Sequence, residues 1–155
     1  MEESKHFNLS NAKRVLHIGC GSYPITAMKL AEMGYDNIVT IDHDVKALKR
    51  ANKVLNKRNL NGRVKAKKGN GTTYPLGEFD TIIVSGCSVP KKQVLEHILK
   101  NSKPETRIIV RKTDFDVDSF IKNLNPQQDI SIIDIKENYI VPTIYWDSVL
   151  IKKNN

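Results

Sequence analysis

A chain of 155 residues with 39% hydrophobic and 27% charged residues has the size and balance of one ordinary domain, which excludes both a disordered and a membrane-embedded chain. No apolar run reaches the roughly 18 residues of a membrane span, and Met1-Glu2-Glu3-Ser4-Lys5 lacks the pattern of a secretion signal, so a cytoplasmic protein is expected. Cys20 and Cys87 are too few for a disulfide framework or a zinc cluster, and the formal net charge of +8 favours acidic partners such as nucleic acid without bearing on the fold.

The first clear signal is Arg14–Ile18, an apolar strand that runs directly into Gly19-Cys20-Gly21-Ser22-Tyr23-Pro24. Apolar residues then recur at helical spacing from Ile25 to Met33, and Gly34 stands where a helix C-terminal cap belongs. The unit repeats with a strand over Asn37–Ile41, a polar exit at Asp42-His43-Asp44 and a helix over Val45–Asn59. Val64–Lys67 is a third strand, followed by the polar Gly69–Thr73 loop, and Phe79–Val84 is the clearest buried strand, bounded by Ser85-Gly86. A helix over Lys91–Lys100 and a strand over Arg107–Arg111 come next, then a helix over Asp116–Leu124. Two final strands, Asp129–Ile135 and Ile144–Ile151, are joined by a loop too short for a crossover, so they pair antiparallel at the end of the sheet. The pattern predicts a three-layer α/β sandwich around a mostly parallel seven-stranded sheet, with residues 1–13 and 152–155 as flexible termini.

In such sheets ligands bind beyond the carboxyl ends of the strands, beside the first strand. Two glycines there let backbone approach a nucleoside or amino-acid group, and the amides opening the next helix favour a negative one. Asp42 leaves the second strand about 20 residues later, where a carboxylate can accept both hydroxyls of a ribose. The fuller GxGxxG of dinucleotide sites is absent, because Pro24 holds the third glycine's place, and no Walker phosphate loop occurs.

At these residues the chain resembles the class I S-adenosylmethionine (SAM)-dependent methyltransferase superfamily, from Arg14 to Ile151. The resemblance implies a Rossmann-like sheet with a reversed final strand and SAM as cofactor. It implies Gly19 and Gly21 against the methionine part, Asp42 at the ribose, Asn70 at the adenine amino group, and the Ser85-Gly86-Cys87-Ser88 loop bordering the transferred group, with Cys20 and His43 also among the cofactor-binding residues. His17 stands where many members have an acidic residue, Tyr23 where they have a third glycine, and Asn70 where they have aspartate. The stretch Gly19-Cys20-Gly21-Ser22-Tyr23-Pro24-Ile25-Thr26 is most similar to the nicotianamine synthase-like subgroup, which transfers the aminocarboxypropyl arm of SAM and carries a helical domain ahead of its Rossmann part. Methyl transfer to an acceptor of unknown identity is the leading expectation. Aminocarboxypropyl transfer, a SAM-binding module completed by a partner or second copy that supplies a cap, and RNA binding or modification are the alternatives.

Bland readings compete at several positions. His17 lies inside an apolar strand and reads as a satisfied core histidine, His43 as a surface loop residue, and Asp44 as the N-cap of the helix that follows. Lys46, Lys49, Arg50, Lys53 and Lys57 form a basic stripe, which is more often a solvated face than a nucleic-acid surface. Cys20 and Cys87 follow neighbouring strands and read as ordinary loop thiols.

Overall fold

The computed structural model describes residues 2–112, 117–123, 130–141 and 144–153. Seven strands form one sheet: β1 (Val15–Ile18), β2 (Ile38–Asp42), β3 (Val64–Lys68), β4 (Thr81–Val84), β5 (Arg107–Arg111), β6 (Ile130–Val141) and β7 (Ile144–Lys153). Their order is β3-β2-β1-β4-β5-β7-β6, with the first five parallel and β7 antiparallel to both β5 and β6. The helices are α1 (Glu2–His6), α2 (Ile25–Glu32), α3 (Val45–Lys57), α4 (Lys91–Asn101) and α5 (Val117–Lys122), with a 3₁₀ turn at Leu9–Asn11.

The central strands are continuous apolar runs because both faces are covered: β1 and β4 are buried at every position. Alternate residues then serve two cores. Leu16, Ile18, Ile82, Val84, Ile108 and Val110 pack with Val94, Leu95, Ile98 and Leu99 of α4 on one face. Val15, Ile38, Ile83 and Ile109 pack with Ala27, Met28, Leu30 and Ala31 of α2 on the other. Asp44 caps α3 through its carboxylate, which accepts from the Lys46 amide at 2.7 Å, as expected of an aspartate before a helix.

Three boundaries depart from expectation. The strand predicted over Asp129–Ile135 runs from Ile130 to Val141, because β7 offers a hydrogen-bonding ladder along that whole length. Asp116, Leu124 and Asp129, the outer ends of two predicted elements, lie outside the described residues. The beginning of the chain is packed instead of loose: Phe7 and Leu9 enter the α2-side core, and Glu3 is only 2% exposed. Its carboxylate accepts from Arg111 Nη2 at 2.7 Å and Nε at 3.2 Å, and from the Ser148 hydroxyl. The physical cause is a guanidinium on β5 that is only 14% exposed and needs an anion. Lys152 likewise belongs to β7 and pairs with Glu105 at 2.8 Å, whereas residues 154–155 lie outside the described residues.

Candidate functional site

The carboxyl ends of β1, β2 and β4 open into a crevice of about 330 Å³, with Gly19, Gly21, Asp42, Asn70, Ser85 and Gly86 among its walls. It lies where the strand order reverses at β1, the position at which open α/β sheets bind ligands. A larger cavity, about 510 Å³, opens at the other end of the sheet among Phe7, Asp80, Thr81 and Arg107, away from every loop that follows a parallel strand.

The glycine turn is built by necessity. Gly19 has φ +84° and Gly21 has φ +61°, conformations that side chains rarely adopt. A Cβ on Gly19 would also collide with the Ser88 hydroxyl, whereas one on Gly21 would meet nothing within 4 Å. The first glycine thus lets the β4 loop close over β1, and the second leaves open space on the crevice side. The Gly19 and Cys20 amides donate to the Ile41 carbonyl at 2.9 and 3.2 Å, and Ser88 Oγ donates to the Ile18 carbonyl at 3.0 Å, which seals the turn between its neighbours.

Asp42, at the end of β2, reaches back to this turn. Its Oδ2 accepts from the Gly21 amide at 2.8 Å and its Oδ1 from the Asp44 amide at 3.0 Å, and the side chain is 12% exposed. Each carboxylate oxygen has two lone-pair sites, so each keeps one for a ligand hydroxyl. His43 stands at the mouth with its side chain 78% exposed and Nδ1 3.6 Å from Asp42 Oδ1, which matches a surface loop residue. Asn70 also lines the crevice, but its Oδ1 accepts from both the amide and the hydroxyl of Thr72, at 3.0 and 2.9 Å. Cys20 is buried and Cys87 exposed, both as free thiols; burial pushes the Cys20 thiol up from its ordinary pKa. Among the described residues no cluster of His, Cys, Asp or Glu could hold a metal.

Beneath the crevice lies a polar layer that sequence reasoning did not assemble. His17 is buried between Thr40 and Ser85, with Nδ1 2.9 Å from Thr40 Oγ1 and Nε2 2.8 Å from Ser85 Oγ, so it joins β2, β1 and the end of β4. Burial, with a smaller contribution from the Arg111 charge, lowers its pKa from 6.5 to about 3, and the ring is neutral. Arg111 borders the crevice from β5, donates to Thr26 Oγ1 at 2.7 Å and pairs with Glu3. Buried Lys91 donates to the Gly86 carbonyl at 2.6 Å and the Arg111 carbonyl at 2.9 Å, clamping the Ser85–Val89 loop to β5. A signal for Lys91 existed in the sequence: lysine in the first turn of a helix opposes the helix dipole and needs another reason to be there. Arg111 offered a fainter one, as a cation closing an apolar strand at its carboxyl end.

A doubly wound sheet of this order, with a glycine turn after β1 and a carboxylate ending β2, defines a Rossmann-like α/β domain. The methyltransferase-domain family matches residues 9–142, so the chain belongs to that family. Among solved structures, a point mutant of MtNAS in complex with S-adenosylmethionine superposes with a TM-score of 0.75 at 21% identity, over 99% of this chain and 62% of that one. MtNAS in complex with MTA and tNA gives 0.78 at 20% identity, over 99% and 60%. A SAM-dependent methyltransferase from Methanosarcina mazei gives 0.72 at 16% identity, over 97% and 96%. The chain thus spans about three fifths of MtNAS and nearly all of the Methanosarcina protein. No curated protein sequence matches it. Among the described residues, no helix is long and apolar enough to cross a membrane.

Proposed function

We propose that the crevice binds SAM and that the protein transfers the methyl group of SAM to an acceptor. The observation that carries this reading is the link between the two halves of the site: the Asp42 carboxylate holds the amide of Gly21, a residue with open space where its side chain would be. A ribose would be held by the remaining lone pairs of Asp42, the amino-acid arm would lie against Gly19-Cys20-Gly21, and Ser85-Gly86 would border the reacting end. The Oδ1 of Asn70, the atom that could accept from an adenine amino group, is committed to its own turn by Thr72. SAM supplies a methyl group on a sulfonium, an already activated leaving group. The residues of the chain therefore contribute alignment and exclusion of water more than acid or base chemistry. Neutral His17 and clamped Lys91 keep the crevice floor and the Ser85 loop in place.

Transfer of the aminocarboxypropyl arm is the second reading. It is favoured by the similarity to MtNAS bound to MTA and tNA and by the glycine turn running into Pro24. The exposed Tyr23, Ile25 and Val89 are apolar groups that a cap from a second copy or a partner would cover. Calorimetry with SAM and S-adenosylhomocysteine, followed by mass spectrometry of incubations with candidate acceptors, tests all of this. S-adenosylhomocysteine supports methyl transfer and methylthioadenosine supports arm transfer. Binding with neither product supports a module that needs its partner, and absence of any binding heat overturns the site assignment.

A further inference from the structure

We infer that the face formed by α3 and β3 is a nucleic-acid-binding surface that holds phosphates beside the crevice. Residues 45–77 contain ten lysines and arginines and not one aspartate or glutamate. Arg58 and Arg63 pair with Glu32 and Asp36 from outside that stretch, at 3.8 and 3.1 Å. The other eight cations are all exposed, and no ion pair is found for them among the described residues. They are consequently open to an external polyanion.

Their placement is ordered. Lys49, Lys53 and Lys57 recur every four residues along α3, so the three positions span about 12 Å along the helix axis. A nucleic-acid strand carries a charge roughly every 3.4 Å, so this run faces about three or four phosphates. The lysines form one wall of a shallow groove whose other wall is Lys68 at the end of β3. Asn56 adds an amide between the lysines, and Asn52 Nδ2 donates to the Leu48 and Ala66 carbonyls at 3.1 and 3.5 Å, which ties the two walls together. Lysines on β3 also protect the sheet edge from pairing with another strand, but that purpose does not account for a stripe on the helix.

The groove leads to the candidate site. Lys68 pairs in register with Asp42, and the next residues, Gly69 to Gly71, line the crevice. With aromatic residues at 6% of the chain, stacking platforms are few, so the contact is with the backbone, independent of base sequence and steeply salt-dependent.

The test is fluorescence anisotropy with a labelled 12-nucleotide single-stranded RNA, without SAM, so the result does not depend on the cosubstrate reading. Binding should weaken along a linear log–log salt plot. The triple variant Lys49→Gln, Lys53→Gln, Lys57→Gln should lower the slope by about 2 and the affinity at 0.1 M salt by about a hundredfold, from 0.7 per phosphate contact. A control triple of equal charge change, Lys92→Gln, Lys100→Gln, Lys103→Gln, should retain affinity within about threefold, with circular dichroism confirming that both triples are folded. Equal loss in the two triples, no binding at 50 mM salt, or displacement of the RNA by polyglutamate at equal charge concentration overturns the proposal.

Discussion

Replacing His17 by glutamine removes a titrating group while keeping a side chain able to hydrogen bond toward Thr40 or Ser85. The native imidazole has its pKa lowered from 6.5 to about 3, chiefly because charging it would mean charging a buried group. In the unfolded chain the same ring binds its proton near pH 6.5, so between pH 6.5 and 3 the unfolded state holds more protons than the native one. Stability contributed by the neutral ring is thus present above pH 6.5 and is lost as pH falls through that window. The full displacement corresponds to about 5 kcal/mol, and the part lost between pH 7 and pH 5 to about 2 kcal/mol. Urea unfolding of both proteins from pH 4 to 8 measures this. The wild type should lose about 2 kcal/mol more than His17→Gln between pH 7 and 5, although the variant starts lower for want of a two-sided bridge. Parallel pH profiles, or a native imidazole that titrates near 6.5 by nuclear magnetic resonance, would refute the reasoning.

The remaining predictions concern the turn, the terminus and the thiols. Asp42→Ala should weaken SAM binding by about 1–3 kcal/mol, read by calorimetry, and also lower stability because the Gly21 and Asp44 amides lose their acceptor. Gly19→Ala should destabilise the fold by at least about 1–3 kcal/mol from backbone strain alone, with the collision at Ser88 adding to it, as a thermal melt would report. Glu3→Gln should cost about 1.5–3 kcal/mol by leaving the Arg111 guanidinium with weaker acceptors; an unchanged melting temperature would show that α1 does not hold it in solution. A thiol reagent at pH 8 should modify one cysteine per native chain, the exposed Cys87, and reach buried Cys20 only on unfolding.

The sheet, the glycine turn and the Asp42 position could all be read from the order of residues, for a local reason. The central strands are short apolar runs, the longer helices repeat with period 3.6, and the carboxylate stands at the very end of its strand. Even the antiparallel end of the sheet follows from a connection too short to cross over. The ribose, adenine and acceptor roles of individual residues came from likeness to a family, and for Asn70 the structure adds a competing local bond to Thr72.

What the order of residues left open is the chemistry that needs distant partners. His17 is an odd residue in an apolar strand until parallel pairing brings Thr40, 23 positions away, and Ser85, 68 positions away, to its two nitrogens. Glu3 looks like part of a loose polar terminus until Arg111, 108 residues later, is brought beside it. Lys91 is out of place in a first helical turn, but its reason for being there is hidden until the carbonyls of Gly86 and Arg111 converge on it. Apolar periodicity settles a residue's own conformation and which face it shows, because those depend on its neighbours in the chain. The partner of a buried polar group depends on which strands lie side by side, and only the folded sheet decides that.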